Sequence, residues 1–478
     1  MSNKFKKYSI VAAIGVLLWG LVICGMRSSF QRYPLSVSFA YFCENPFYNK
    51  LGVNPVFYII KTATVAKNEM PAILNEVSEQ KALSYAEKEL NFCIVDTLSP
   101  LTRSVVPTGE MKSKKHVVLI LMEGMSRVNL DRVYEGQYVT PFLRNLRDSS
   151  IYYSNCFSAS VHTNHGIIGS TCGYEPFFGT TMMTTEPPIF TGLPYYLQQE
   201  GYHTSCFITS NPQFDNMNSF WCSNHIQRIY SIYDYPQSKA VNNFGVQDDY
   251  LFEYGLQAMN ELTQTGIPQY ALFLTVSHHG PYIVPEQYKN RGADDEERIL
   301  SFADDALRNF MTQALQTEWG KNTLFILVAD HGFTEHSKYE MSLEHHVIPL
   351  YFCGVGLSPR RINKVASQID IYPTVLSMLG IPFDNNSLGI DLTQENRRYA
   401  FFVSHEHLGC SDGQHFFCHS IQTGRELLYD ISNGENVLDS LPDKAADMRS
   451  YARNMTLLNL TGLSKGWAQP ITISTKCE

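Results

Sequence analysis

The sequence predicts an α/β protein built on a mostly parallel sheet flanked by helices. Residues 116–122, 270–276 and 323–329 are nearly continuous apolar runs, the pattern of strands buried on both faces. Helical stretches separate them. Residues 301–316 place Phe302, Ala306, Phe310 and Ala314 on one face, with Gly320 as a stop. Strands alternating with helices indicate βαβ units, whose crossover helices cover the sheet.

The remaining elements follow in chain order. Lys4, Lys6 and Lys7 precede an uncharged run over residues 8–26, and a membrane-spanning helix needs ~20 apolar residues with ~17 as the lower limit. No small-x-small cleavage site follows, so an uncleaved signal anchor is favoured over a removed signal peptide. The lysines assign residues 1–7 to the cytoplasm and the rest of the chain to the outside, on a single-pass protein of the cytoplasmic (inner) membrane. Residues 27–112 read as an extracytoplasmic connector with one helix, marked by Ala82, Ala86 and Leu90 at i, i+4 and i+8. Residues 113–395 carry the α/β pattern and form the expected catalytic domain. Residues 396–478 depart from it. Short strands over 399–403, 414–418 and 426–429 and a helix over 443–460 predict a small α+β lobe, the helix presenting Met448, Tyr451, Ala452 and Met455 on one face.

The 478 residues are enough for two or three domains. A formal net charge of -9 excludes a general nucleic-acid binder, which needs a basic face. There are 11 cysteines; Cys24 falls in the apolar run, and an exported domain could pair some of the others. Cys410 and Cys418 are near enough in sequence to staple a hairpin, with buried free thiols as the alternative. No CxxC…CxxC zinc pattern is present.

Ligands of open α/β sheets bind beyond the carboxyl ends of the strands. The first apolar run leads into Glu123, the second into Ser277-His278-His279-Gly280, and the third into Asp330-His331-Gly332. Two carboxylates and an imidazole make a good divalent-metal set. Taken singly, each group has a plain structural role as a helix cap, a turn or a polar loop. Their joint occurrence at three strand ends is harder to explain that way. A nucleophile must come from elsewhere. In Ser160-Val-His-Thr-Asn-His-Gly166, Thr163 falls where a helix N-terminus would favour a bound anion, and a metal beside its hydroxyl would favour the alkoxide. An ordinary N-cap threonine is the alternative.

These motifs resemble those of the alkaline phosphatase/sulfatase superfamily. Within it they are similar to the lipoteichoic acid synthase branch, whose members transfer phosphoglycerol from lipid head groups. The resemblance covers roughly residues 113–395. It rests on Glu123 after a strand, Thr163 in a Thr-x-x-Gly setting, Thr275-Val-Ser-His-His-Gly-Pro-Tyr282, Val328-Ala-Asp-His-Gly332 and Ile369-Asp-Ile-Tyr-Pro-Thr-Val-Leu376. It implies an alkaline phosphatase-like fold. It also implies Glu123, Thr163, Asp330 and His331 as ligands of one divalent metal, with Mn²⁺ expected and Zn²⁺ or Mg²⁺ as alternatives. Thr163 would be the ligating nucleophile and His279 the phosphate-binding histidine. From the local sequence alone, Thr163 lies between His162 and His165, and either imidazole could contribute positive charge near a phosphate as a substrate-binding residue. Two departures stand out. The C/S-x-P-x-R motif of strict sulfatases is absent around Thr163. The branch's Phe-Trp-Asn-Arg motif finds its nearest match in Phe220-Trp221-Cys222-Ser223, which keeps Trp221 as a substrate contact and lacks the arginine. The expected activity is transfer of a phosphoglycerol-type or phosphoethanolamine-type head group from a phospholipid donor to an envelope glycan or lipid acceptor through a phospho-threonine. A hydrolase of the same superfamily, acting on phosphodiesters, phosphonates or sulfate esters, is the alternative.

Overall fold

The computed structural model describes residues 3–27, 36–63, 74 and 77–469, apart from positions 44, 95, 109–113, 176–186, 335–336, 355 and 405. Cys477 and parts of the 27–112 segment lie outside the described residues. The first helix, α1 (Asn3–Arg27), contains Lys6–Gly25, 20 residues of mean hydropathy 2.2 with none of them buried. Among the described residues it is the one helix long and apolar enough to cross a membrane.

An eight-stranded sheet organises the rest. Its strands in chain order are β1 (His116–Met122), β2 (Ile151–Phe157), β3 (His203–Ile208), β4 (Arg228–Tyr230), β5 (Gln269–Leu274), β6 (Thr323–Ala329), β7 (Val347–Gly354) and β8 (Arg360–Ser367). The spatial order is β8-β2-β7-β6-β1-β5-β3-β4. β7 runs antiparallel to both its neighbours and every other pairing is parallel. Seven carboxyl ends therefore share one edge. The three apolar runs are β1, β5 and β6, adjacent at the centre of the sheet. Their side chains are buried along almost their whole length, which explains the absence of a polar face in the sequence. Helices such as Asp248–Leu262 and Asp295–Ala314 cover the faces.

The C-terminal lobe is a four-stranded antiparallel sheet, Ala400–Val403, His407–Ser411, His415–Ser420 and Glu426–Asp430, backed by the helix Pro442–Lys465. The sequence showed three of these strands. His407–Ser411 escaped because Gly409, Cys410 and Ser411 give it little β-branched or aromatic character. The helix Glu79–Glu89 belongs to this lobe by packing. Ala82, Leu83 and Ala86 share a buried cluster with Met448, Tyr451, Ala452 and Met455. An Arg397–Asp370 ion pair locks lobe to sheet. Both groups are buried, and Arg397 also donates to the Tyr451 hydroxyl at 2.9 Å.

The suggested Cys410–Cys418 staple does not form, and both thiols are free. Cys410 pairs in register with Phe417, and Cys418 with Gly409. This one-residue offset turns the two side chains to opposite faces of the sheet. Cys410 enters the cluster under the C-terminal helix, and Cys418 packs with Phe157, Tyr339 and Met341.

Candidate active site

The shared edge brings the predicted metal-ligating residues together. One ligand atom from each of Glu123, Asp330 and His331 falls within 4.8 Å of the others. Each is fixed by its strand end. The Glu123 amide donates to Thr275 Oγ1 at 2.9 Å, tying β1 to β5. Asp330 Oδ1 accepts from the amides of Gly124 (2.9 Å) and His331 (2.7 Å). His331 Nδ1 lies 2.8 Å from the Gly332 carbonyl; a carbonyl only accepts, so Nδ1 carries the proton and Nε2 keeps its lone pair. That Nε2 lies 3.6 Å from Asp330 Oδ2 and 3.8 Å from Glu123 Oε1.

This arrangement fits a divalent cation. Asp330 is fully buried, and its Oδ2 has no hydrogen-bond partner. Burial, reinforced by the Asp330 charge, pushes the Glu123 carboxyl well above the usual carboxylate range. Two buried carboxylates side by side are costly unless a positive charge joins them, and a cation among these three donors answers both.

Thr163 joins the cluster from a different element. It is the first residue of the helix Thr163–Cys172, and its Oγ1 donates to Glu123 Oε2 at 3.3 Å. It makes no side-chain cap of its own helix; His162 occupies the N-cap position. The helix approaches β6 closely at Gly166, where an added Cβ would lie 2.4 Å from the Asp330 carbonyl oxygen. Gln368 completes the joint. Its amide nitrogen donates to the carbonyls of Ala329 and Asp330, each at 2.7 Å, and its oxygen accepts from the Ala159 amide at 2.8 Å.

A cavity of about 360 Å³ opens over Thr163 and Glu123. His162, His165 and His279 line it, with His162 and His279 exposed and His165 buried. His279 Nδ1 lies 2.7 Å from the Gly280 carbonyl, so its Nε2 is the available ring atom. The loop bearing His279 is held by Asp248, which accepts from the amides of Val276 (2.8 Å) and Ser277 (3.0 Å). Burial pushes the Asp248 carboxyl up to about 6. The neighbouring His278 turns inward instead. It is buried against the Glu123 carbonyl, and burial pushes its pKa down to about 4.

Trp221 is elsewhere. It lies inside the helix Met217–Ser223 and is fully buried in the main core, outside the cavity lining. The assignment of Trp221 to substrate contact is therefore corrected. The residues that enter the cavity lie at and just before the start of that helix: Phe214, Asp215 and Met217. Phe214-Asp215-Asn216-Met217 keeps the Phe and Asn of the Phe-Trp-Asn-Arg pattern and replaces its Trp and Arg with Asp and Met. The Phe-x-Asn spacing was the signal available, and the intact Phe-Trp pair six residues later masked it. Asp215 also escaped notice, as did Asn164, whose side chain hydrogen-bonds it; burial raises the Asp215 pKa to about 6. Val403 and Ser404 of the C-terminal lobe close one side of the cavity.

The model for the family described as Sulfatase matches residues 115–381. The chain belongs to the sulfatase family. Among curated proteins, this sulfatase-family chain is 22% identical over 379 residues to lipoteichoic acid synthase 2 of Bacillus subtilis, covering 72% of this chain and 57% of that protein. It is also 22% identical over 364 residues to the lipoteichoic acid synthase of Staphylococcus aureus, covering 69% and 53%. The chain thus spans a little over half the length of these relatives. Among solved structures it is similar to an alkaline phosphatase superfamily protein from Vibrio parahaemolyticus (TM-score 0.73, 23% identity, 82% of this chain and 98% of that one). It also resembles the lipoteichoic acid synthase LtaP of Listeria monocytogenes (TM-score 0.66, 18% identity, 77% and 97%). The alkaline phosphatase-like fold expected from the sequence is the fold observed.

Proposed function

We propose that this chain is a membrane-anchored, divalent-metal-dependent phosphotransferase that moves a lipid head group to an envelope acceptor through a phospho-threonine on Thr163. The observation that carries the reading is the Thr163 hydroxyl at 3.3 Å from Glu123, beside the Asp330 and His331 donors. Likeness to the two lipoteichoic acid synthases supports the phosphotransferase class. Retention of α1 with Lys4, Lys6 and Lys7 on its cytoplasmic side would confine the domain to the outer face of the membrane, near phospholipid donors.

Glu123, Asp330, His331 and Thr163 would hold the metal, with Mn²⁺ expected and Zn²⁺ or Mg²⁺ as alternatives. Once bound, the metal lowers the cost of deprotonating the Thr163 hydroxyl and offsets charge on the transferring phosphoryl group. Thr163 Oγ1 attacks the phosphodiester phosphorus, and a P–O bond forms to Oγ1 as the bond to the lipid oxygen breaks. The proton lost by Thr163 is balanced by one gained by the departing lipid alcohol, which His279 would deliver from Nε2 in its doubly protonated form. An acceptor hydroxyl then repeats the attack in reverse and frees Thr163. Helix N–H groups and the flanking His162 and His165 favour the phosphate.

Intact-mass measurement of the detergent-solubilised full chain, incubated with Mn²⁺ and mixed phospholipids, tests this. A head-group phosphate adduct on Thr163 is expected, and Thr163→Ala should remove adduct and turnover together, by several orders of magnitude up to ~10⁶. Thr163→Ser should retain part of both. If Thr163→Ala is active and merely ~1 kcal/mol less stable, the residue is only a helix-start threonine and the reading falls. Product analysis with and without an acceptor alcohol separates transfer from hydrolysis.

A further inference from the structure

The cavity contains a carboxylate that the metal cluster does not use. Asp215 and Asn216 are consecutive non-glycine residues in the left-handed region, at φ 51° and φ 58°. Such strain persists where surrounding structure imposes it, and it clusters at ligand sites. Here it turns the chain between β3 and the helix Met217–Ser223 so that Phe214, Asp215 and Met217 all face one cavity. Asp215 is held by the Asn164 side chain, next to Thr163, while its Oδ1 is buried without a hydrogen-bond partner. Aromatic rings flank it along the wall. Phe214 meets Phe244 edge-on at 6.2 Å, and Phe244 packs against His279 at 4.3 Å. Among the described residues, no Lys or Arg lines this cavity.

The wall therefore includes the Asp215 carboxylate, an acceptor-only group, beside aromatic rings. An alkylammonium group has three donors and no acceptor. It gains a charge-assisted hydrogen bond from the one and a cation–π attraction from the other. We propose that Asp215, with Phe214 and Phe244, forms a subsite for the cationic end of the head group, a primary ammonium of the phosphoethanolamine type, and so selects aminoalcohol over polyol phosphodiesters. The inference rests on the reading that a phosphodiester head group reacts at Thr163. The phosphate then lies at the metal donors while the ammonium lies at Asp215, so a zwitterionic head group meets a complementary charge at each end. A glycerol head group would leave the carboxylate with neutral hydroxyl donors alone, a weaker pairing.

The test compares binding of sn-glycero-3-phosphoethanolamine and sn-glycero-3-phosphoglycerol to the Mn²⁺-supplemented full chain by calorimetry. Wild type should bind the ethanolamine diester about 10- to 100-fold more tightly. Asp215→Asn should remove that preference by weakening the ethanolamine diester alone. Asn is nearly isosteric, tolerates the left-handed region well and can still accept from Asn164, so the turn is retained. Phe214→Leu keeps the apolar bulk, removes the ring face and should lower the preference severalfold, which decides the matter should Asp215→Asn fail to fold. The subsite is overturned if wild type shows no preference, or if Asp215→Asn weakens both diesters equally. Intact mass on parallel samples given the corresponding lipids keeps the two readings apart. Absence of a Thr163 adduct with either lipid overturns the phosphotransferase reading. An adduct with no head-group preference overturns the subsite alone.

Discussion

Gly166 is a tight joint in the site. It is the fourth residue of the helix that begins at Thr163, and there the helix backbone crosses the end of β6. A Cβ at this position would lie 2.4 Å from the Asp330 carbonyl oxygen, 2.6 Å from its Cα and 2.8 Å from its carbonyl carbon. All three are backbone atoms of the residue that directly follows β6, so no rotamer change relieves the overlap. Ordinary contact begins at 3.4 Å, so helix and strand must part by about 1 Å to accept alanine. Thr163 rides on the first turn of that helix, and the separation reaches its contact with Glu123. A shift of ~1 Å at a reacting group costs on the order of 100-fold in rate. Overpacking costs ~1–3 kcal/mol, partly offset by the ~1 kcal/mol helix preference of Ala over Gly. Gly166→Ala should therefore fold, melt slightly below wild type, bind Mn²⁺ less tightly and turn over about 100-fold more slowly. The assays are thermal melting, metal content by mass spectrometry and rate of Thr163 adduct formation. An alanine variant with undiminished turnover and a raised melting temperature would refute the close approach and the site geometry built on it.

Asp330→Asn should sharply reduce Mn²⁺ content and abolish turnover while circular dichroism stays unchanged, since the amide oxygen can still accept from Gly124 and His331; activity surviving thorough chelation would contradict a metal role altogether. His346 is fully buried against Ser158 and Phe402, and burial pushes its pKa from 6.5 down to about 3. The unfolded chain thus binds that proton first, and this residue makes the fold lose stability as pH falls from 6.5 towards 3, by up to ~1.4 kcal/mol per pH unit. Denaturant titrations at several pH values should show His346→Gln gaining on wild type by about that slope on acidification; parallel curves would show that the histidine is not held neutral. Arg397→Met should cost about 3–5 kcal/mol by leaving the Asp370 carboxylate buried without its cation, while Arg397→Met with Asp370→Asn should recover part of the loss. Wild-type stability in the single variant would show that the pair does not lock the lobe.

The sequence by itself determined the central sheet and three of the residues gathered at its edge. β1, β5 and β6 were legible because strands covered on both faces must be apolar throughout. Glu123, Asp330 and His331 were legible because each directly follows such a strand, and parallel pairing brings those ends together. Thr163 was legible as a helix start. What depended on packing between distant segments was not legible. The antiparallel β7 has the same buried composition as its parallel neighbours, so its direction leaves no mark in residue pattern. Cys410 and Cys418 were close in sequence, but register sent them to opposite faces, and register is set by pairing rather than spacing. Trp221 matched a motif, yet the point at which its helix begins turned it into the core and left the cavity to Phe214 and Asp215. Only the tertiary structure revealed Gln368 bridging Ala159 to Asp330, or Val403 and Ser404 closing the cavity from another lobe. Local sequence specifies what each segment buries, whereas a cavity wall is assembled by segments far apart in the chain.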